Sequence, residues 1–386
     1  MSANAAPPET AVRRPRSVNV MIALYLLVAT AITAQQTVGK ARSGNYAIFR
    51  AAFGHLRNGL DLYAMYPAEQ LDYYKYSPTA ALMLAPFSVL PYGAGLWLWN
   101  LLNAGVLCAS IVLLLPGRAA TGALLIVLLE AVGAIQNTQV NALLAGLMIF
   151  ALVDLQRGRI AGGAGVVAIG AAIKVFPLAA GLFGVVSPQR WRHIGWCVVI
   201  GVLFLVAPLL VTSLDALSMQ YSSWYALTQR DNAKVGMAWV GGLIELMLGR
   251  RIPHAPVQLA GILWIMATAW MARTAWPHAT VRHLLLASLL IFAVIFNHMA
   301  ESPTFVIAYA GIGIWWATMP RARWRNVVLG LIIVFGSIAG SDIVPRDIRV
   351  AIHGGYQVKA IVTVIGWLAV QWDLLHRLRG VDSDSD

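Results

Sequence analysis

Residues 282–319 read RHLLLASLLIFAVIFNHMAESPTFVIAYAGIGIWWATM, an apolar run over 282–296, a polar bend at Asn297–Pro303 and a second apolar run over 304–319. Neither run keeps a face for water, so each must be buried in protein or in lipid. The same alternation recurs from Asn19 to about Gln371, with the ionisable residues gathered at the turns. Hydrophobic residues make up 59 % of the 386-residue chain and charged residues 11 %, and the mean hydropathy is +0.71. A water-soluble globule needs polar surface that this composition does not supply. Apolar stretches of about 18 or more residues instead match the thickness of a hydrocarbon core. The expected fold is therefore all-α, a polytopic integral membrane protein of about twelve transmembrane helices (about 10–13).

Lys and Arg number 28 against 16 Asp and Glu, a net charge of +12. The basic residues sit in small groups beside apolar ends: Arg13/Arg14/Arg16, Arg157/Arg159, Arg190/Arg192, Arg321/Arg323/Arg325 and Arg377/Arg379. That is a topology signal next to anionic lipid rather than a nucleic-acid patch. Cys108 and Cys197 fall inside apolar runs and form neither a disulfide framework nor a metal spacing. The first apolar run, with Ala29-Thr30-Ala31 inside it, reads as a retained span rather than a cleaved signal.

With the arginine groups in the cytoplasm, residues 1–18 and 378–386 are cytoplasmic tails flanking a transmembrane domain over 19–377. Loops 39–77 and about 213–255 lie outside. Tyr46–Leu56 is expected as an amphipathic surface helix, and 160–187 as a tight hairpin bent near Lys174–Pro177. This trace sends the polar interruptions Asp61, Asp72, Lys75, Gln136–Gln139, Lys174, Asp231, Asn297–Glu301, Asp342 and His353 to the outer face, where one cavity would satisfy them.

Four constellations could carry chemistry. Asp61, Asp72, Lys75 and Tyr76 belong to an outer loop rich in tyrosine, fit either for an amphiphilic substrate or for an ordinary interfacial belt. Lys174, in Ala-Ala-Ile-Lys-Val-Phe-Pro, costs about 2.5–3.5 kcal/mol at mid-bilayer unless it reaches a polar site, where it could hold a phosphate. His298 and Glu301 are three apart and share a face if their turn is helical, so they could position a substrate or cap the next helix; two ligands make no metal signature. Glu130 must be neutral, paired or facing water, and Gln136, Asn137, Gln139 and Asn141 suit interhelical hydrogen bonds. No Walker A, dinucleotide turn, HExxH or nucleophile elbow is present. No soluble cofactor is thus expected, and an activated donor would have to arrive on a lipid.

The stretch Asn45–Asn103, with Gly59-Leu60-Asp61-Leu62-Tyr63, Tyr76-Ser77-Pro78, Leu90-Pro91 and Leu96-Trp97-Leu98-Trp99-Asn100, resembles the start of glycosyltransferase family 87. These are polyprenol-phosphate-dependent membrane transferases of the GT-C fold, among them mycobacterial phosphatidylinositol mannosyltransferases. Gln136–Gly146 and Gly163–Pro177 follow in the same order. The resemblance implies inverting transfer of a hexose, often mannose, from a polyprenyl-phosphate sugar to a lipid or glycan acceptor at the outer face of a bacterial cytoplasmic membrane. It also implies an Asp base early in the first outer loop, where this chain has Asn45. Asp61 is then the expected base, with Asp72 the second choice and Glu301 able to reach across the cavity as the third catalytic carboxylate. Lys174 is the expected phosphate clamp, with His298 and Glu301 shaping the sugar site. Asn45, Lys75, Tyr76, Gln136, Asn137, Lys174, Asn297 and His298 would contact substrate, with no metal site. The alternatives are a flippase for lipid-linked saccharide, or a relative that only binds polyprenyl lipid.

Overall fold

The computed structural model describes residues 15–38, 44–70, 72–232, 236, 238–341, 344–351 and 357–383. Asp342 and His353 lie outside them. Among the described residues the structure is helical throughout, with no strand. The first described helices are α1 (Arg16–Val38) and α2 (Gly44–Arg57), the latter covering the stretch expected as an amphipathic helix. α3 (Pro78–Met83) and α4 (Ala85–Val89) follow as one broken helix. Ser77 caps α3, its Oγ accepting from the Ala80 N–H at 3.1 Å, and Pro78 fits the first turn where no N–H is needed.

Next come α5 (Tyr92–Leu114), α6 (Gly117–Gln136), α7 (Asn141–Gln156) and α8 (Ile160–Ile173). A 3-10 turn over Phe176–Gly181 leads into α9 (Leu182–Val186), which closes the hairpin begun by α8. α10 (Arg190–Val206), α11 (Leu214–Asn232), α12 (Val240–Leu248), α13 (His254–Ala272), α14 (Ala279–Ile295) and α15 (Phe305–Thr318) complete the middle of the chain. α16 (Arg323–Leu331) continues into a π-helical stretch Ile332–Ile338, followed by α17 (Arg346–Val350) and α18 (Val358–Ser383). α18 runs past Arg377, so the segment expected as a tail begins as helix.

Six of these helices are long and apolar enough to cross a membrane: α1, α5, α6, α10 with its 3-10 extension to Leu210, α13 and α18. α7, α8, α9 with the turn before it, and α14 are apolar but shorter. The shortness has a structural reason in α14 and α15. Leu284–Ile295 and Phe305–Trp315 are buried on every face, so these two lie inside the bundle and need no full crossing length. A methyl group added at Gly311 would stand 2.6 Å from the Ala287 carbonyl of α14. One at Gly313 would stand 3.0 Å from the Ala123 carbonyl of α6. α15 thus packs backbone-close on two sides, the small-residue contact that lets helices associate where no hydrophobic effect drives them. α10 is the opposite case. Only 11 % of its apolar window is buried, against 50 % for α5 and α6, so its sides are left for lipid.

Two charged clusters fix the ends of the bundle. At the arginine-rich end, Arg325 binds both oxygens of Asp373 at 2.8 and 2.6 Å, and Trp315 Nε1 donates to the same carboxylate at 2.7 Å. Nearer the other end, Glu130 of α6 meets Lys359 of α18 at 2.7 Å. The sequence demanded that Glu130 be neutral, paired or wet; it is paired, by a lysine that the sequence reading did not single out.

Candidate functional site

At the end of the bundle away from the arginines, loops and helix ends surround a cavity of about 1340 Å³. Asn45, Asp72, Lys75, Tyr76, Asn137, Lys174, Asn297, His298 and Glu301 all line it. Gln136 does not; its carbonyl accepts from Gln36 Nε2 at 2.8 Å, and Gln139, at the other end of the turn, lines the cavity together with Asn137.

Lys174 stands where α8 stops. Pro177 cannot continue the helix, and Lys174 itself takes an extended backbone (φ −142°, ψ 149°). Its ammonium donates to Asn141 Oδ1 at 3.0 Å and lies 6.0 Å from the Phe176 ring centre. Among the described residues no carboxylate pairs with it at salt-bridge distance. Glu301 is its attractive charged neighbour and Lys75 its repulsive one.

Lys75 is placed differently. It binds Asp72 at 3.2 Å and Asp231 of α11 at 3.4 Å. Burial works to lower its pKa, but the two carboxylates outweigh burial and hold it above the ordinary lysine value. This cation is already compensated by carboxylates, whereas Lys174 has a neutral amide as its hydrogen-bond partner.

The bend between α14 and α15 is not helical at its end. Asn297 Oδ1 accepts from the Met299 N–H at 3.0 Å, and Glu301 is extended (φ −109°, ψ 163°). His298 and Glu301 therefore do not act as a helical pair. His298 Nδ1 lies 3.0 Å from Gln258 Nε2, and its ring stacks on His254 at 4.3 Å. Burial and then the neighbouring His254 push the His298 pKa down, which favours a neutral ring. Glu301 is exposed to the cavity and forms a capping box with Thr304, whose Oγ1 accepts from the Glu301 N–H at 3.4 Å. Of the two readings made for this bend, the cap is the one the hydrogen bonds show. Among the described residues no group of three His, Cys, Asp or Glu side chains could hold a metal ion.

Asp61 is elsewhere. It does not line the cavity. Its Oδ1 accepts from the Tyr63 N–H at 3.0 Å and its Oδ2 from Ser223 Oγ at 3.1 Å. Beside it, Gln220 of α11 brackets the loop, donating to the Leu60 carbonyl at 2.7 Å and accepting from the Leu62 N–H at 2.9 Å. Asp61 thus staples loop to helix. The alternating Gly-Leu-Asp-Leu-Tyr motif pointed to it as a reactive carboxylate, but its lone pairs face hydrogen-bond donors of the scaffold.

Asn45 does line the cavity, and its Nδ2 donates to the Asn137 carbonyl at 2.8 Å. A carboxylate there would set one acceptor against another. Asn45→Asp is therefore expected to lower the melting temperature and bring no gain in turnover, the lost bond being worth about 0.5–1.5 kcal/mol before repulsion is added. Thermal unfolding in detergent together with an activity measurement checks this.

Gln258 and His254 are the contributors that sequence reasoning missed. Gln258 is the one amide near the start of an otherwise apolar helix, which was the available signal.

Below the polar rim the cavity continues as an apolar groove. It is walled by Ile262, Ile265 and Met266 of α13, Leu289, Phe292 and Ala293 of α14, and Leu182 and Val185 of α9, and it reaches His193 and Cys197 of α10. Along α13, Gln258 to Met266 spans eight residues, about 12 Å. The walls α10 and α13 are the least buried of the long helices, so the groove lies beside lipid-facing surface.

The described residues thus form a helical, multi-pass membrane protein in which a polar chamber continues into an apolar groove. The chain belongs to glycosyltransferase family 87, whose model matches residues 74–335. The match begins after the Asn45 segment, so the family correspondence of that position falls outside the matched region. A search of curated proteins gives no match. Family membership makes the chain a membrane glycosyltransferase.

Proposed function

We propose that the chain transfers a hexose, mannose in the first instance, from a polyprenyl-phosphate donor to a lipid or glycan acceptor, with inversion. The carrying observation is the continuity of the apolar groove with the Lys174 end of the chamber. An isoprenoid chain lies in the groove without desolvation cost, and its phosphate then meets the one chamber lysine that no described carboxylate compensates. The fold is read as GT-C-like, with the shorter apolar helices counted alongside the six long ones. The arginine groups put both termini in the bacterial cytoplasm and the chamber on the outside.

In the transfer, the acceptor hydroxyl gives its proton to Glu301 as its oxygen attacks the anomeric carbon from the face opposite the phosphate. The bond from that carbon to the phosphate oxygen breaks, and the charge left on the polyprenyl phosphate is met by Lys174. Asp72 and Asp231, both held by Lys75, are the other carboxylates lining the chamber, and Asp72 orients the acceptor. His298, Asn297, Asn137 and Tyr76 supply hydrogen bonds and a ring edge to the sugar.

The direct test is reconstituted protein with radiolabelled polyprenyl-phosphate mannose and total membrane lipid as acceptor. Label in a new lipid or glycan supports the reading. Movement of the donor between leaflets with no transfer overturns it in favour of a flippase. A second measurement reads the groove. Ala293→Phe is expected to raise KM for a long-chain donor about tenfold, while a donor truncated to one isoprenoid unit is unaffected.

A further inference from the structure

The pair Glu130–Lys359 lies outside the chamber, yet it reaches at one atom the residue that follows Glu301 of the chamber lining. Lys359 Nζ donates to Glu130 Oε2 at 2.7 Å and to Ser302 Oγ at 3.1 Å, and sits 5.0 Å from the centre of the Phe305 ring. The other Glu130 oxygen accepts from Ser337 Oγ, in the π-helical stretch, at 2.9 Å. Glu130 and Lys359 are 6 % and 8 % exposed. The ammonium has a partner for each of its three hydrogens, two oxygens and a ring face. Replacing such a pair by apolar side chains of similar volume is often neutral or stabilising, so stability alone does not account for its form. What the pair adds is a fixed point. It ties α6, α18 and the π-helical stretch to Ser302, the residue that follows Glu301.

We infer that Lys359, locked by Glu130, is a positioning residue that holds Glu301 in register with the acceptor through Ser302. The bend is then clamped three times. Asn297 fixes its start at the Met299 N–H, Gly236 donates to the His298 carbonyl at 2.8 Å in the middle, and Lys359 fixes the far end. The last clamp is the only one of these next to the carboxylate. A misplacement of about 1 Å at a reacting group can cost about a hundredfold in rate, so a rigid anchor beside an exposed side chain has a kinetic purpose. The inference rests on the reading of Glu301 as the base.

The test compares Ser302→Ala, Lys359→Arg, the double variant Glu130→Leu/Lys359→Met and Glu301→Gln in the transfer assay with polyprenyl-phosphate mannose. Ser302→Ala removes only the chamber-side tie and is expected to lower kcat about ten- to a hundredfold with the donor KM unchanged. The double variant is expected to keep the melting temperature and lose kcat to the same extent, while Lys359→Arg, which can donate to both oxygens, stays near wild type. Wild-type kcat in both Ser302→Ala and the folded double variant, with Glu301→Gln inactive, overturns the positioning role and leaves the base standing. Activity retained in Glu301→Gln overturns both.

Discussion

Lys174→Met is expected to cut sugar transfer about 10²–10³-fold while raising the melting temperature. Lys174 is half-buried in the chamber lining, and its ammonium has a neutral amide, Asn141 Oδ1, as its only hydrogen-bond acceptor among the described residues. A charge so placed costs stability, and an unbranched apolar side chain of similar length removes that cost. The function it serves is lost with it. Without a cation to meet the developing charge on the departing phosphate, turnover should fall by about 10²–10³, the range seen when one charge-stabilising donor is removed. Lys174→Arg should recover only part of this, because a planar guanidinium does not replace a compact ammonium in a closed space. Thermal unfolding and turnover on the same preparations read both halves. Transfer within twofold of wild type in Lys174→Met would remove the phosphate role.

Glu301→Gln carries the second large effect. Gln is isosteric, and the Thr304 oxygen that holds the Glu301 N–H is untouched, so the bend should keep its shape. What disappears is the ability to take a proton, for which a loss of about 10²–10⁴ in kcat is expected, with little change in KM. Asp61→Asn is the contrast. Asp61 accepts from Tyr63 and Ser223 and does not line the chamber, so its replacement should lower stability and leave kcat within a few-fold. The two variants measured side by side separate a chemical carboxylate from a scaffold carboxylate. An inactive, well-folded Asp61→Asn protein beside an active Glu301→Gln protein would reverse the assignment made here.

Much of this protein was legible in its residues because the signals are local. Apolar runs of crossing length, arginine groups at alternate turns and prolines beside Lys174 and Glu301 are each read within a few positions, and a membrane enforces them strongly, since no unsatisfied backbone is tolerated in hydrocarbon. From these alone follow the all-helical membrane fold, the hairpin bent at Lys174 and the polar bend at Asn297–Glu301. The short lengths of α14 and α15 could be read, but their place at the centre of the bundle could not. Burial by protein and burial by lipid demand the same apolar composition, so the sequence could not say which helices are central.

Which carboxylate faces the chamber was decided only by packing. Asp61, Asp72 and Glu301 are alike in sequence: each is an acid in a polar turn beside an apolar run. They differ because Ser223, 162 residues from Asp61, arrives to occupy one and not the others. The pairing of Glu130 with Lys359 spans 229 residues and leaves no trace in spacing or composition. Local physics set where polar groups could exist in this chain; contacts between distant segments determined which of them are consumed by the scaffold and which are left for a substrate.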